Sequence, residues 1–484
     1  MNKKHRTLLL VLCSAIVYLC HGAVIPDVYK IFPYQHKEDV LYQSLDNIQY
    51  ILGISERKFG NSMKMIDDSN PDKESFISGF SKVIGKEINE NITPYTYSYL
   101  SYAYNLCEAT NDLSQNKIHP FDVFNFPTID DSLILYFDNR SASPSFNSMV
   151  SWLYAIILSE LYPFERNELF KQAFTYGNGV IYGGYDWYTD VYYGKLTASI
   201  IYALMRQDEE VNEFIEKAKT ELSSPDLVYN IPDYDELAEG TTFMPGPPAE
   251  ISPLFAIDIY EYMKSIVMDP SSDRAVMAVS DIDLYQVHQC EIYSEVTGLN
   301  LSKEATPEIY KLIKICIPPS SHVCNTTKNK YNRKRPYVYY GEHTLYHPDE
   351  EKYKDNGSYP SGHSSTAWGV GLVLAELMPE YYSEIMSRAY EMGQSRVIAR
   401  YHWQSDVNDG RILGSTVISM LHNSKEFIEQ FEKAKSEYRL ITAVPHVMAY
   451  KKDSEYVYNL NGIRLSQPPS RGLYIKNDKK FLSR

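Results

Sequence analysis

Apolar residues recur at the spacing of an α-helix through most of this chain. Six segments combine helical length with an apolar repeat near 3.6 residues. They are 148–161, 165–182, 189–205, 364–377, 381–398 and 405–421. The pattern predicts an all-α fold of two tandem helical bundles. A polar stretch bounded by prolines, at roughly 223–248, is typical of a linker between them.

The C-terminal end departs from this pattern. Residues 455–483 alternate apolar and polar positions, and Asn461-Gly462 and Asn477-Asp478 are turn signals. Alternation with such turns predicts one or two β-hairpins. This tail also resembles the short C-terminal sorting segments of exported proteins in some Gram-negative bacteria; the alternative is a small hairpin packed on the body.

The N-terminal end predicts export. Lys3, Lys4 and Arg6 precede the apolar stretch 8–19, which is the arrangement of a secretory signal peptide over residues 1–22. No later segment reaches the about 18 uninterrupted apolar residues that a membrane-spanning helix needs. We therefore expect a periplasmic, secreted or cell-surface protein without a membrane span.

The first half of the chain repeats the second. Pro144-Ser145 precedes Pro360-Ser361 by 216 residues, and the same offset pairs Trp152 with Trp368. About 30% of positions from 144 to 221 are identical at this offset, which indicates an internal duplication. Upstream of these segments the offset becomes 213, where Thr93-Pro94 corresponds to Thr306-Pro307.

Charge and cysteine content narrow the function. The formal net charge is −15, and removal of three basic residues with the leader makes it −18. An acidic chain with a local basic cluster suits a pocket for small anions and argues against nucleic acid as a partner. Four cysteines follow the leader: Cys107, Cys290, Cys316 and Cys324. Disulfides are permitted in an exported protein, but the sequence leaves the three pairings open.

Three short blocks in the second half carry the chemistry. Lys328 lies seven positions before Arg335-Pro336, Pro360-Ser361-Gly362-His363 follows, and Ser395-Arg396 precedes His402 and Asp406. A phosphate monoester carries about two negative charges near neutral pH. Lys328, Arg335 and Arg396 offer positive charge and N–H donors for it. Ser361 adds a hydroxyl, and Gly362 lets the backbone approach closely.

The two histidines can divide a phosphoryl transfer between them. One attacks phosphorus, and the other protonates the leaving oxygen. Asp406 follows His402 by four residues, the spacing of one helical turn, so its carboxylate can accept from Nδ1–H. This spacing predicts His402 as the nucleophile, Asp406 as its orienting partner and His363 as the general acid. The scheme needs no metal and no cofactor.

At these residues the chain resembles the class A non-specific acid phosphatases, secreted bacterial members of the type-2 phosphatidic acid phosphatase superfamily. The family pattern Lys-x6-Arg-Pro, Pro-Ser-Gly-His and Ser-Arg-x5-His-x3-Asp is filled at every position. The similarity covers roughly 240–440. It implies the same roles for the eight residues named above. It also implies an all-helical fold, no metal and inhibition by vanadate.

The first copy lacks these groups. At the positions of Lys328, Arg335, Gly362, His363, Ser395, Arg396 and His402 it has Asp112, His119, Phe146, Asn147, Gly179, Val180 and Asp186. Ser145 and Asp190 persist. We therefore predict a signal peptide at 1–22, an inactive helical domain at 23–235, a catalytic domain at 236–445 and a β tail at 446–484.

The sequence thus predicts an exported, metal-independent acid phosphatase acting on small phosphate monoesters. Two alternatives remain open. A vanadium-dependent haloperoxidase shares the superfamily pocket, and a surface protein could bind phosphate without catalysis. A homo-oligomer is also left open.

Overall fold

The computed structural model describes residues 24–32, 72–114, 143–183, 186–222 and 237–443, and four short strands in the tail. The predicted signal peptide, His119 and most of the linker lie outside the described residues. In the described part, eighteen α-helices follow one another: α1 Lys73–Ile84, α2 Pro94–Ser114, α3 Phe146–Leu161, α4 Arg166–Gly183, α5 Tyr188–Met205, α6 Glu209–Leu222, α7 Gly240–Phe243, α8 Pro253–Val267, α9 Asp273–Ser280, α10 Gln286–Thr297, α11 Pro307–His322, α12 Asn325–Tyr331, α13 Pro336–Tyr340, α14 Glu350–Tyr353, α15 Gly362–Leu377, α16 Tyr382–Ile398, α17 Gln404–Leu421 and α18 Lys425–Ala443. The all-α prediction is confirmed, and the six predicted helices match α3–α5 and α15–α17 to within two residues at each end.

Matching residues begin and end corresponding helices in the two halves. Ser145 caps α3 and Ser361 caps α15, each accepting from the backbone N–H three residues on. Gly85 ends α1 and Gly298 ends α10, both with positive φ, which a residue without Cβ adopts at no steric cost. Three helices of the first half begin 216 residues before their counterparts: α3 before α15, α5 before α17 and α6 before α18. The helical bounds therefore follow the same offset as the sequence repeat.

The two central helices, α3 and α15, are buried along nearly their whole length. A helix that is apolar on all sides belongs in the interior of a bundle. Helix α3 packs on α4 and α5, and α15 packs on α16 and α17 in the same way. In addition, α17 contacts both α3 and α5, and α15 contacts α5. The helices of the two halves therefore share one continuous core.

Reciprocal contacts join the two halves. The indole of Trp152 donates to Ser415 Oγ at 2.9 Å, and the indole of Trp368 donates to Ser199 Oγ at 3.2 Å. Trp152 corresponds to Trp368 and Ser199 to Ser415 at the 216-residue offset. In an interface with two-fold symmetry, residue i contacts j and j contacts i. The halves thus pack with the reciprocity of a symmetric dimer.

A buried ionic group lies at the same interface. Arg206 Nη1 contacts Glu160 at 2.8 Å, and its counterpart His422 contacts Glu376 at 2.8 Å. Arg206 Nε also lies 3.7 Å from Glu376 of the other half. Burial alone would raise the pKa of Glu160, but Arg206 and Lys219 lower it to about 2. Paired in this way, the buried charges connect the halves without an isolated ion.

The chain divides into two compact units, Met1–Glu432 and Lys433–Arg484. The first unit contains the first repeat and the second repeat as far as Glu432, and the domain boundary at 235/236 stays a prediction. The second unit contains a four-stranded antiparallel sheet in the order β2-β1-β3-β4. Its strands are β1 Val457–Tyr458, β2 Arg464–Leu465, β3 Gly472–Lys476 and β4 Lys479–Ser483. Strands β3 and β4 pair from Gly472↔Ser483 to Lys476↔Lys479.

Two further sequence expectations concern cysteines and membranes. The four described cysteines are buried free thiols, so no disulfide joins them, and the short 316–324 loop is not bridged. Burial raises the pKa of Cys324 to about 11, which leaves this thiol protonated and unreactive. Among the described helices, none has both the length and the apolar content to span a membrane.

Candidate active site

The three sequence blocks meet where the ends of five helices of the second half come together. Lys328 lies on α12, Arg335 caps α13, and Ser361, Gly362 and His363 form the start of α15. Arg396 lies in the last turn of α16, and His402 is the second residue before α17. Helix ends supply unpaired backbone groups as well as side chains, so this is a suitable place for an anion site.

Arg335 holds His402 directly. Its Nη1 lies 3.1 Å from His402 Nε2 and also donates to the Tyr401 carbonyl at 3.0 Å. A guanidinium has only donors, so Nε2 accepts this bond and the imidazole proton resides on Nδ1. The geometry therefore favours the tautomer in which Nε2 has a free electron pair. Burial, and then Arg335, lower the pKa of His402 well below its usual value.

Asp406 lies beside His402 in a different geometry from the predicted one. Helix α17 begins at Gln404, so His402 precedes the helix and the two residues are not one helical turn apart within it. His402 Nδ1 lies 3.6 Å from Asp406 Oδ2, beyond a normal hydrogen bond. Ser358 Oγ lies close to both groups, 3.3 Å from Nδ1 and 2.5 Å from Oδ2. The Asp406 carboxylate also accepts from the Trp403 N–H at 2.9 Å and so caps α17.

A second carboxylate and an arginine fix Asp406 in turn. Arg333 Nη1 donates to Asp406 Oδ1, and its Nη2 donates to Asp258 Oδ2, both at 2.7 Å. Asp258 also accepts from the Ser405 backbone and hydroxyl. Burial would raise the pKa of Asp406, but Arg333 and His402 hold it well below its ordinary value. Asp406 is therefore favoured as a carboxylate below the pH at which an aspartic acid ordinarily titrates.

Sequence reasoning missed these supporting residues. Arg333 stands two positions before Arg335 in the basic run, and Ser358 stands two positions before Pro360. Asp258 lies near the start of the region, roughly 240–440, that resembles the acid phosphatases. Their closeness to the motifs was the available signal, but spacing alone does not distinguish a buried partner from a solvated charge.

Lys328 supports a loop rather than projecting freely into the site. Its Nζ donates to the carbonyls of Gly357 and Pro360, each at 2.8 Å, and lies 3.5 Å from that of Ser358. These bonds fix the segment that leads into Ser361. Burial, and then Arg335, lower the pKa of Lys328 to about 8. Its positive charge therefore persists at acidic pH, while its N–H groups are directed at the backbone.

Arg396 differs from Lys328 in its hydrogen bonding. It is 1% exposed, and its guanidinium lies 4.7 Å from the centre of the Tyr401 ring. Its Nε and Nη1 are buried and have no hydrogen-bond partner among the described residues. Burial, and then Arg335, lower its pKa to about 10. Buried donors without a partner cost free energy, so they indicate a place for an acceptor such as a phosphoryl oxygen.

The start of α15 adds backbone donors. Ser361 is a cap: its hydroxyl accepts from Ser364 N–H, and its own N–H donates to the Asp406 carbonyl at 2.8 Å. A Cβ on Gly362 would approach only Ser321 atoms, at 3.6 and 3.8 Å, so protein packing does not require glycine there. Glycine instead leaves room for a ligand beside the first N–H groups of a sixteen-residue helix.

His363 is partly exposed on the same turn. Its Nε2 bonds the Ile282 carbonyl at 3.1 Å, which places the proton on Nε2 in the neutral ring. Burial, and then the charges of Arg396 and His402, lower the pKa of His363 well below its usual value. A phosphoryl dianion among these cations would raise that pKa again. Protonation at Nδ1 would then provide a general acid.

The corresponding place in the first half has no cationic cluster among its described residues. Ser145 Oγ donates to Asp186 Oδ2 at 2.5 Å, and these are the counterparts of Ser361 and His402. Val180, at the position of Arg396, is buried in an apolar cluster. Burial, and then Asp190, raise the pKa of Asp186 to about 7. Asp186 and Val180 therefore offer a phosphate dianion no positive charge at the positions of His402 and Arg396.

Asp186→Asn should stabilise the protein most at pH 8. The pKa of Asp186 is raised on folding, so the native state binds the proton more tightly and stability falls as pH rises from about 4 towards 7. An amide removes this cost and still accepts from Ser145, so we expect a gain on the order of 3 kcal/mol at pH 8 and little at pH 4. Thermal unfolding at both pH values measures it. Asp112→Asn, an exposed change in the same half, is the control. An equal effect of Asp186→Asn at both pH values would contradict the assignment.

In the described residues, one group of histidine and carboxylate side chains has converging ligand atoms, and it lies outside this pocket. It consists of His343, His347 and Glu350. The pocket residues themselves present arginine, lysine and imidazole groups, which are ligands for a phosphoryl group rather than a typical metal set.

Comparison with known proteins identifies the family of this chain. Residues 312–428 match the family model of the PAP2 superfamily. A non-specific acid phosphatase of Providencia stuartii is 39% identical over 219 residues, which are 45% of this chain and 86% of that protein. An acid phosphatase of Zymomonas mobilis is 33% identical over 46% of this chain and 81% of its own length. A non-specific acid phosphatase of Salmonella typhimurium is 32% identical over 42% of this chain and 81% of its own length. The chain therefore belongs to the class A non-specific acid phosphatases of the PAP2 superfamily.

Proposed function

We propose that this acid phosphatase hydrolyses small phosphate monoesters through a covalent phosphohistidine at His402, without a metal ion. The observation that carries the proposal is that the buried Nε and Nη1 of Arg396 have no hydrogen-bond partner among the described residues, while its backbone carbonyl accepts from the His402 N–H at 3.2 Å. A phosphoryl group is an acceptor of matching charge and shape for a guanidinium fork.

The first step forms the covalent intermediate. The free electron pair of His402 Nε2 attacks phosphorus, the N–P bond forms, and the ester P–O bond breaks. His363 transfers its Nδ1 proton to the departing oxygen, so the alcohol leaves neutral. As Nε2 turns from Arg335 to phosphorus, the Arg335 Nη1–H becomes available to a phosphoryl oxygen. The Asp406 carboxylate, reached through Ser358, stabilises the charge that develops on the ring.

The second step releases phosphate. A water molecule attacks the phosphohistidine in line, the P–N bond breaks, and the electron pair returns to Nε2. His363, now neutral, accepts the proton of that water and so regains the form needed for the next turnover. Lys328 and Arg335 hold the 357–360 segment and the ring in place during both steps.

Acidic pH favours the protonation states that the two histidines need in this mechanism. His402 must be neutral to attack, and its lowered pKa keeps it neutral below the ordinary histidine value of about 6.5. His363 must be protonated when ester is bound, which a phosphoryl dianion and low pH both favour.

Export forms part of the proposal, and the leader pattern at 1–22 supports it. N-terminal sequencing of the mature protein tests it.

The purified protein should hydrolyse an aryl phosphate with an optimum below neutral pH. As pH is lowered, kcat/KM should begin to decrease only at a pH below 6.5, because His402 of the free enzyme has a lowered pKa. EDTA should leave the rate unchanged, since lysine, arginine and histidine provide the positive charge. Vanadate should inhibit competitively, because it occupies the same oxyanion pocket.

The same assay separates the alternatives. Loss of activity on chelation would contradict the metal-independent mechanism. Halide oxidation on addition of vanadate and peroxide, in place of hydrolysis, would identify a haloperoxidase. Tight binding of phosphate without turnover of any aryl, sugar or nucleotide ester would identify a binding protein.

A further inference from the structure

Two histidines and one glutamate converge on a loop outside the phosphate pocket. His343 Nδ1 lies 3.0 Å from Glu350 Oε2, and His347 Nδ1 lies 3.4 Å from Glu350 Oε1. The two imidazole rings are 4.7 Å apart, and one ligand atom from each residue lies within 4.8 Å of the others. From this arrangement we infer that His343, His347 and Glu350 form a binding site for a divalent transition-metal ion, best filled by Zn²⁺.

The donor set and its dimensions fit zinc. Zn²⁺ binds imidazole nitrogen and carboxylate oxygen at about 2.0–2.2 Å, and ligand atoms around a tetrahedral ion are then about 3.3 Å apart. His343 Nδ1 lies 3.0 Å from one oxygen of Glu350 and His347 Nδ1 lies 3.4 Å from the other, and each separation is close to that value. Three protein ligands leave a fourth position, which water can fill because His343 and His347 are 75% and 62% exposed in their side chains.

Hydrogen bonds from neighbouring residues hold the Glu350 carboxylate and the His343 backbone in place. Thr344 donates to Glu350 Oε1 from its backbone N–H and, at 2.8 Å, from its hydroxyl. Arg400 donates to the His343 carbonyl at 3.1 Å. Hydrogen bonds of this kind orient metal-ligating groups and limit their motion. The glutamate is therefore already directed between the two rings, and modest side-chain rotation completes the site.

The site adjoins a segment that supports the phosphate pocket. Glu350 starts α14, its carbonyl accepts from the Tyr337 hydroxyl at 2.8 Å, and the Tyr353 carbonyl at the end of α14 accepts from Arg335 Nε at 3.1 Å. An ion that joins 343 and 347 to α14 would bind the folded state and stabilise it. This role is structural, and it does not depend on the proposed hydrolytic mechanism.

The experiment is a calorimetric titration of the metal-free full chain with Zn²⁺ at neutral pH, with thermal unfolding as a second readout. We expect one site with micromolar or tighter affinity and a higher unfolding temperature with zinc. The double variant His343→Ala/His347→Ala should bind at least about tenfold more weakly and lose the zinc-dependent stabilisation. Both side chains are exposed, so this variant should fold and retain hydrolytic activity in metal-free buffer.

A matched control uses another histidine–carboxylate pair outside the pocket. His288 Nδ1 lies 3.1 Å from Glu291 Oε2, and in the part of the chain that the structure describes no second histidine converges on this pair. His288→Ala should therefore leave zinc affinity unchanged. Equal zinc binding by wild type and the double variant would overturn the proposal, because the ion would then bind elsewhere. Only millimolar binding by wild type would also overturn it, because the three residues would then be a surface ion-pair group.

Discussion

Replacing His402 by alanine should lower kcat for an aryl phosphate by at least about 10³-fold, because the variant lacks the nucleophile of the proposed covalent intermediate. His402 is 2% exposed and its Nε2 is already oriented by Arg335. The variant should retain vanadate binding, since Arg396 and the start of α15 are unchanged. Steady-state kinetics and a vanadate titration measure both effects.

Two neighbouring variants sharpen this test. His363→Ala should slow alkyl esters more than activated aryl esters, because only a poor leaving group needs a proton as it departs. Asp406→Asn should lie between the two histidine variants, since it weakens the orientation of His402 without removing the nucleophile. His288→Ala, a change at a surface histidine, is the control. Near-native activity of His402→Ala would contradict the assignment of the nucleophile.

Loss of the contact between the two halves should have the second large effect. Trp152 is fully buried, packs on Phe170 and donates to Ser415 of the catalytic half. We expect Trp152→Ala to lower the free energy of unfolding by about 3–5 kcal/mol, from the cavity and the lost hydrogen bond. Hydrolytic activity should disappear at a lower temperature, although no residue of the pocket has changed. Chemical denaturation followed by fluorescence and by activity measures the effect.

An exposed aromatic residue of the first half provides the control, and removal of the whole first half is the stronger form of the test. Phe164→Ala removes an aromatic ring of the first half that is 56% exposed, and it should lower the free energy of unfolding only slightly.

A fragment of residues 236–484 should be much less stable than the mature chain, because α15 and α17 lose α3 and α5 as neighbours. We propose on this basis that the first half is a catalytically inactive partner kept for packing. A soluble, monomeric fragment as stable and active as the full chain would refute that role, and tight vanadate binding by the first half would refute its inactivity.

The helices could be predicted because their signals are local. Apolar spacing and the residues around Pro163 and Pro379 place six helices to within two residues. The relation of His402 to Asp406 could not be predicted, because a four-residue spacing does not reveal that α17 begins between them. Ser358 enters that gap from a different segment, and only the tertiary fold brings it there.

The surroundings of the charged side chains were the least predictable property of the site. Lys328 and Arg396 are equivalent from the sequence, yet Lys328 donates to backbone carbonyls while Arg396 retains buried donors without a partner among the described residues. Arg333 resembles a solvated member of a basic run but forms two buried ion pairs, with Asp258 and Asp406. Which cation faces the ligand depends on burial and on nearby acceptors, and neither is encoded in motif spacing.

Trapping the phosphoenzyme tests the central proposal most directly. The full chain should be mixed with an aryl phosphate, quenched rapidly, kept at alkaline pH where phosphohistidine survives, and digested for mass spectrometry. The account predicts one phosphoryl group on the peptide that contains His402, and none on that peptide in His402→Ala or after pre-incubation with vanadate. A phosphoryl group on His363 or on a serine, or a burst of product with no phosphorylated peptide, would contradict it.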